Sequence, residues 1–403
     1  MTAVPPGPAA PRGAPPRRAE VLAALSVAID LGLGQPAEHM LRAAVIASRL
    51  ATALGLDDER RGTVYYSTLV MWIGCHADSQ EYARWFGDDI AVRNAAYLVD
   101  WSGLPYMGFL LGNVGHGEPP IRRARTMLSL VSDARGHLSQ LIHSHCTSAA
   151  ALAEHLGLPE SVQRTVGFTF ERYDGGGLPT GCQGDEIPLE MRIAQLADVA
   201  EVHHRLYGTE RAVAMAQQRR GGQLDPAVVD VFLADAEAFL TEPGGGDAWS
   251  AAIALSPDRD AVVSGPELDA LLLAIGDFVD LKCPFTLGHS RAVAALAEAA
   301  GGLVGLSTAE RGTLRRAGYL HDVGRLGVSN NVWSKPGPLS TDEWERVRMH
   351  PYLGARVLSR IPTLADEAGL VRAHHEHLDG TGYPLGVAGG ALGRSDRLLA
   401  AAA

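Results

Sequence analysis

Cysteine is scarce in this 403-residue chain: Cys75, Cys146, Cys182 and Cys283 lie far apart with no C-x-x-C spacing, which excludes a zinc ribbon and a disulfide framework. A reducing cytoplasm is the expected compartment. Aromatic residues make up only 6% of the chain and alternating β-branched runs are few, which argues against a β fold and leaves helices as the expectation. No run of 18 or more apolar residues occurs without Gly or charge, so no membrane-spanning segment is expected. Positive charge is also short. With 35 Lys and Arg against 46 Asp and Glu the formal charge is −11, which excludes broad binding to a nucleic-acid polymer or an anionic membrane but leaves room for a small nucleotide held by a local cluster. Residues 1–18 lack the apolar core of a signal peptide and read as a disordered, Pro-, Ala- and Arg-rich tail.

What is present is an apolar recurrence at three and four residues, which predicts helices over about 20–56, 58–74, 120–156, 158–172 and 186–240. The Pro/Gly stretch TEPGGGD at 241–247, with a further loop near 256–260, predicts a linker over 241–264, after which a second helical series begins at about 265. The two series repeat one another. ERYDGGGLP around Asp174 and EHLDGTGYP around Asp379 are offset by 205 residues, and the same offset joins His145 to His350. His39 lies 32 residues before Met71, and His289 lies 32 residues before His321. The first copy carries 45 more residues between these blocks, an insertion expected around 76–120. The expected organisation is therefore a tail (1–18), a degenerate first domain (19–240), a linker (241–264) and a second domain (265–403). The fold class is all-α, with two tandem helical bundles.

The second copy collects the chemistry. Six of the fifteen histidines, His289, His321, His350, His374, His375 and His377, fall in its repeat blocks. Ser307-x-x-Glu310 is a capping box that predicts a helix ending near His321 and Asp322, and Ser340-x-x-Glu343 predicts another that carries His350. A histidine followed by a carboxylate with two oxygens suits one ion beside the imidazole and a second across the carboxylate.

HDVG at 321–324, Lys335-Pro336-Gly337, His350 and HHEHLDGTGYP at 374–384, in this order, resemble the HD-GYP family of HD-domain phosphohydrolases over about residues 280–403. The resemblance implies a helical bundle that opens cyclic di-GMP with two divalent transition ions, iron or manganese. It further implies that His289, His321 and Asp322 hold one ion, and that Asp322 bridges to a second held by His350, His374 and His375. Two such ions lower the pKa of a water between them and stabilise charge on phosphorus. Arg325 and Lys335 are the expected phosphate-steadying, substrate-binding residues, Arg with bidentate capacity. Asp379, Gly382, Tyr383 and Pro384 are expected to form a structural loop that orients the histidines, and His377 to be a solvated surface residue. Phe285, where some members of the family supply a third-metal glutamate, cannot ligate.

Other positions depart from the family pattern. The first copy has Met71 and Trp72 in place of the His-Asp pair, Thr169 and Phe170 in place of the paired histidines, and keeps only His39, His145 and Asp198. That is too few for two ions, and the copy reads as a packing, dimerisation or sensing module. In the second copy the aspartate equivalent to Asp198 is replaced by Ala403, and the counterpart of residues 199–240 falls beyond the sequence, so this domain reads as C-terminally incomplete. The leading expectation is a phosphodiesterase acting on a cyclic dinucleotide or another phosphate ester, with a homodimer suggested by the duplication. The alternative is a catalytically inactive signalling or interaction module.

Overall fold

The computed structural model describes residues 14–115, 119–132, 134–241 and 247–403, and among them every regular element is helical. Residues 1–13 of the expected tail lie outside the described residues. Its last residues are held: the Val263 amide donates to the Pro16 carbonyl at 2.9 Å, the Arg18 amide to the Ala261 carbonyl at 2.8 Å, and Arg18 already opens the first helix.

In the first copy, α1 (Arg18–Leu33) and α2 (His39–Ala53) divide what the periodicity read as one helical stretch. Gly34, left-handed at φ 67°, caps α1, and Pro36 cannot continue it. Asp57 accepts the Arg60 amide and starts α3 (Asp58–Val70), which runs into a 3-10 turn, Ile73–His76. The insertion is itself helical: α4 (Ser79–Phe86), α5 (Asp89–Ala96) and α6 (Gly103–Asn113). The copy continues through α7 (Pro120–Ser132), α8 (Ala134–His155), α9 (Glu160–Thr165), α10 (Leu189–Tyr207), α11 (Thr209–Arg219), α12 (Pro226–Ala234) and α13 (Ala236–Leu240). Residues 242–246 of the expected linker lie outside the described residues. Its following part is not a free tether, because α14 (Ala248–Leu255) buries Trp249 and Ile253 and packs on α2.

The second copy repeats this order with α15 (Gly265–Asp280), α16 (His289–Leu303), α17 (Thr308–Leu320), α18 (Asn330–Trp333), α19 (Thr341–Arg348), α20 (His350–Leu358), α21 (Ala365–Ala373) and α22 (Arg394–Ala402). Both expected capping boxes form, Ser307 with Glu310 and Ser340 with Glu343. The second box, however, opens α19, whereas His350 begins a separate helix, α20. The chain breaks at Met349 because Pro351 has no amide to carry the α19 ladder forward.

The repeat extends to details. Glu38 at φ 73° and Gly288 at φ 76° make the same left-handed entry into α2 and α16. Behind them, Asp30 accepts the Met40 amide at 3.1 Å and Asp280 accepts the Ser290 amide at 2.9 Å. The two copies also interlock. α1 packs on the turn Val323–Gly327 of the second copy, and α15 on the turn Ile73–His76 of the first. One hydrophobic core accordingly runs from Ala19 to Val371 across both copies.

Candidate metal centre

The α17 helix ends at Leu320, so His321 and Asp322 stand at its mouth, just before the Val323–Gly327 turn. Gly324 lets that turn lie directly on α20: a Cβ there would sit 1.9 Å from the His350 carbonyl oxygen. This close seating brings His350 to Asp322. His374 caps the end of α21 and His375 follows it.

Two groups of ligand atoms result. One atom each from His289, His321 and Asp322 lie within 4.8 Å of one another, as do one each from His350, His374 and His375. Asp322 stands between them. Its Oδ2 is 3.4 Å from His321 Nε2 and 3.7 Å from His289 Nε2, while its Oδ1 is 3.4 Å from His350 Nε2 and 3.9 Å from His374 Nε2. The imidazoles are oriented from behind. The Nδ1 of His321, His350 and His374 meets the carbonyl three residues earlier, of Gly318, Val347 and Val371, at 2.8, 2.6 and 2.6 Å. A carbonyl only accepts, so Nδ1 carries the proton and each Nε2 offers its lone pair to the cluster, the arrangement that metal-ligating histidines adopt.

Electrostatics favour neutral imidazoles at four of the five histidines, His321 being the exception. Burial pushes the His350 and His375 imidazoles down to about 4 and holds those of His374 and His289 below the ordinary value, which keeps them neutral near pH 7. The Asp322 carboxyl is well below its usual range: burial opposes ionisation, but His321 and Arg325 outweigh it. His321 is raised despite its burial because Asp322 lies beside it. A buried anion with the neutral imidazoles of His289, His350, His374 and His375 around it is a donor set that suits a transition ion, which would displace the proton that Asp322 favours on His321.

The remaining expected residues separate. Arg325 reaches the cluster, its Nη1 donating to Asp322 Oδ2 at 3.0 Å while its guanidinium lies 4.0 Å from the Trp333 ring centroid. Lys335 is exposed, and its Nζ pairs with Glu343 at 2.5 Å rather than with a ligand. Asp379 accepts the Thr381 amide and hydroxyl, Gly382 lies against the Glu376–His377 backbone, and Tyr383, followed by Pro384 in a cis bond, stacks on His375 at 4.7 Å. His377 is exposed beside Thr381, and Phe285 is 84% exposed.

Several contributors escaped the sequence reading. The buried Glu376 carboxylate gathers the amides of Leu385, Gly386 and Val387 and so shapes the loop, as Glu171 gathers those of Thr180 and Gly181 in the first copy. The shared 205-residue offset would have revealed this pair. Trp333, beneath Arg325 and 5.8 Å from His350, has no counterpart signal in the first copy.

The first copy fills the same place with other chemistry. Trp72, at the position of Asp322, packs edge-on to Phe170, Trp101, His145 and Tyr97, and its Nε1 donates to Asp198 Oδ2 at 3.1 Å. His39 is clasped by Asp198 at 3.0 Å and Glu201 at 2.5 Å, while His145 meets the Met71 carbonyl at 3.1 Å. An aromatic plug and an ion pair stand where the second copy gathers ligands.

Comparison with known proteins follows the same lines. The HD domain family profile matches residues 132–228 and 274–403, thus parts of both copies. The chain is 30% identical over 387 residues to 3'3'-cGAMP-specific phosphodiesterase 3 of Vibrio cholerae serotype O1, covering 95% of this chain and 84% of that protein. It is 32% identical over 123 residues to a cyclic di-GMP phosphodiesterase of Thermotoga maritima, covering 30% of this chain and 33% of that one. The crystal structure of a cyclic GMP-AMP specific phosphodiesterase of V. cholerae superposes with a TM-score of 0.67 at 24% identity, over 96% of this chain and 98% of that one, a likeness of fold.

Proposed function

The chain belongs to the HD domain family, and from that premise we propose that it is a metal-dependent phosphodiesterase of the HD-GYP type that hydrolyses a cyclic dinucleotide at the second copy. The observation that carries this reading is the position of Asp322, one carboxylate oxygen turned to each of two ligand groups. His289, His321 and Asp322 would hold one ion and Asp322, His350, His374 and His375 a second, with iron or manganese matching the nitrogen and oxygen donors. When bound, the ions supply Lewis acidity and lower the pKa of water.

The chain's own residues provide the rest. The backbone carbonyls of Gly318, Val347 and Val371 fix the imidazole tautomers, so the ligands are set before substrate arrives. Arg325 neutralises Asp322 and, flattened on Trp333, presents guanidinium N–H groups for a phosphate. We assign Lys335 a second phosphate contact that requires it to exchange Glu343 for substrate. Asp379, Gly382, Tyr383 and Pro384 shape the wall behind His375. The first copy is a structural partner, its ligand positions closed by Trp72 and the His39 ion pair. The inactive-module alternative is disfavoured, because His321, Asp322, His350 and His374 are all nearly fully buried and converge without another structural purpose.

Cyclic di-GMP and 3'3'-cGAMP are the substrates to compare, the latter because the relative aligned across both copies bears that specificity. The test is hydrolysis of each by the purified chain with manganese(II) or iron(II), beside a His321→Ala/Asp322→Ala double variant, with bound metal counted. Turnover that the double variant loses supports the reading. Absence of both turnover and metal in the wild-type chain overturns it.

A further inference from the structure

The insertion of the first copy places one carboxylate inside the second copy. Asp89, the first residue of α5, is fully buried, and its Oδ1 accepts the Ser329 hydroxyl at 2.6 Å and the Asn330 amide at 2.8 Å. Ser329 is the residue before α18, yet its own hydroxyl caps nothing. It donates to Asp89, and Asp89 receives the helix amide in its stead. The N-terminal cap of α18 therefore comes from some 240 residues upstream.

The other oxygen of Asp89 faces cations. Arg93 Nη1 lies 3.0 Å away and Lys282 Nζ 3.7 Å away, both side chains buried. Arg93 also donates to the Cys75 carbonyl at 2.6 Å and the Ser79 hydroxyl at 3.2 Å, and the Lys282 carbonyl accepts from the Asn330 side chain at 2.6 Å. The cluster thus ties α4, α5 and the Ile73–His76 turn of the first copy to the end of α15 and to α18 of the second. A short α-helix of four residues has almost no stability of its own and keeps its place through such anchors. What α18 carries is Trp333, the platform under Arg325, which in turn holds Asp322.

We propose that the insertion is a positioning device for the second copy's site, in which Asp89 caps α18 and thereby sets Trp333 and Arg325 against the phosphate-binding face of the cluster. The role in hydrolysis rests on the phosphodiesterase reading above; the anchoring itself does not. Asp89 is a positioning residue, since it touches none of the ligands. A purely structural role would lower overall stability without singling out one loop or one kinetic constant.

The test compares the wild-type full chain with Asp89→Asn and with the milder Ser329→Ala, which removes one hydrogen bond and leaves the Asp89, Arg93 and Lys282 charges in place. Amide hydrogen exchange over residues 326–335 is expected to quicken by about tenfold in Asp89→Asn and less in Ser329→Ala, while exchange in α20 and α21 and the manganese content stay at wild-type values. KM for the cyclic dinucleotide is expected to rise by about five- to tenfold, more than kcat falls. Unchanged exchange over 326–335 in both variants, or exchange raised uniformly through the chain, overturns the proposal. Quickened local exchange in a wild-type background that hydrolyses nothing leaves the anchoring intact and removes the phosphodiesterase reading instead.

Discussion

A single histidine shows how far the copies have diverged. His39 occupies the position of His289, but burial among Asp198 and Glu201 has made it one member of an ion pair. Desolvation alone would lower its pKa; the two carboxylates outweigh that and raise it to about 10. Asp198 is raised by burial whereas Glu201, which also binds Arg42 and Arg205, is lowered to about 2, so Glu201 is the anion that balances His39. An unfolded imidazole releases its proton near 6.5. The stabilisation from His39 is therefore complete below about pH 6.5 and decays as pH rises towards 10, while that from Glu201 is present above its ordinary range near 4.5 and lost as pH falls through about 2. Thermal melting between pH 6 and pH 10 is expected to show an alkaline loss on the order of 3 kcal/mol that His39→Gln removes. An alkaline slope identical in the variant would contradict this assignment. At this scale the sequence was informative about types and spacings: all six expected ligands meet in space, because histidine and aspartate at those intervals have few structural reasons to recur. It was uninformative about Lys335, whose Glu343 partner belongs to the neighbouring capping box and competes for the same charge.

Helices and turns position these residues through close backbone approaches that only small residues permit. Gly324 and Gly74 lie at equivalent places, and a Cβ would stand 1.9 Å from the His350 carbonyl in one copy and 2.3 Å from the His145 carbonyl in the other. Neither oxygen has room to retreat, because each belongs to a packed helix. Gly324→Ala and Gly74→Ala are both expected to cost about 2–4 kcal/mol of stability. Their effects on the site should differ: Gly324→Ala lifts His350 from Asp322 and reduces manganese binding, whereas Gly74→Ala leaves binding near the wild-type level. Melting curves and metal counts on the two purified variants distinguish these outcomes, and equal metal loss in both would refute the division of labour. Periodicity made the helices visible but not their ends. The 20–56 stretch breaks at Gly34, and the Ser340 helix stops before His350 because Pro351 lacks an amide. Asp247 caps the linker helix α14 locally, and tertiary contacts fix its place, with Trp249 resting against the first copy and beneath Arg360 of the second.

The whole molecule behaves differently from the two beads on a tether that a duplication with a Gly-rich joint implies. Val21, Ala24 and Leu25 of α1 line the same small apolar gap as Leu272, Ile275, Leu320, Val323, Val357 and Leu358 of the second copy. The α1 helix thus completes the core beneath the Val323–Gly327 turn and, through it, supports the seat of the ligand cluster. No local pattern could disclose this, because an apolar helix face says only that it is covered and not by which copy. Leu25 is 1% exposed, and Leu25→Ala is expected to cost about 2–5 kcal/mol. Since the cavity it opens lies between the copies, the loss should appear in a single calorimetric transition that shifts as a whole, and a segment comprising residues 265–403 alone should expose apolar surface, bind a hydrophobic dye and hold metal poorly. Two separate transitions, with Leu25→Ala lowering only the one that belongs to the first copy, would mean that the copies fold independently and that the shared core contributes little to the site.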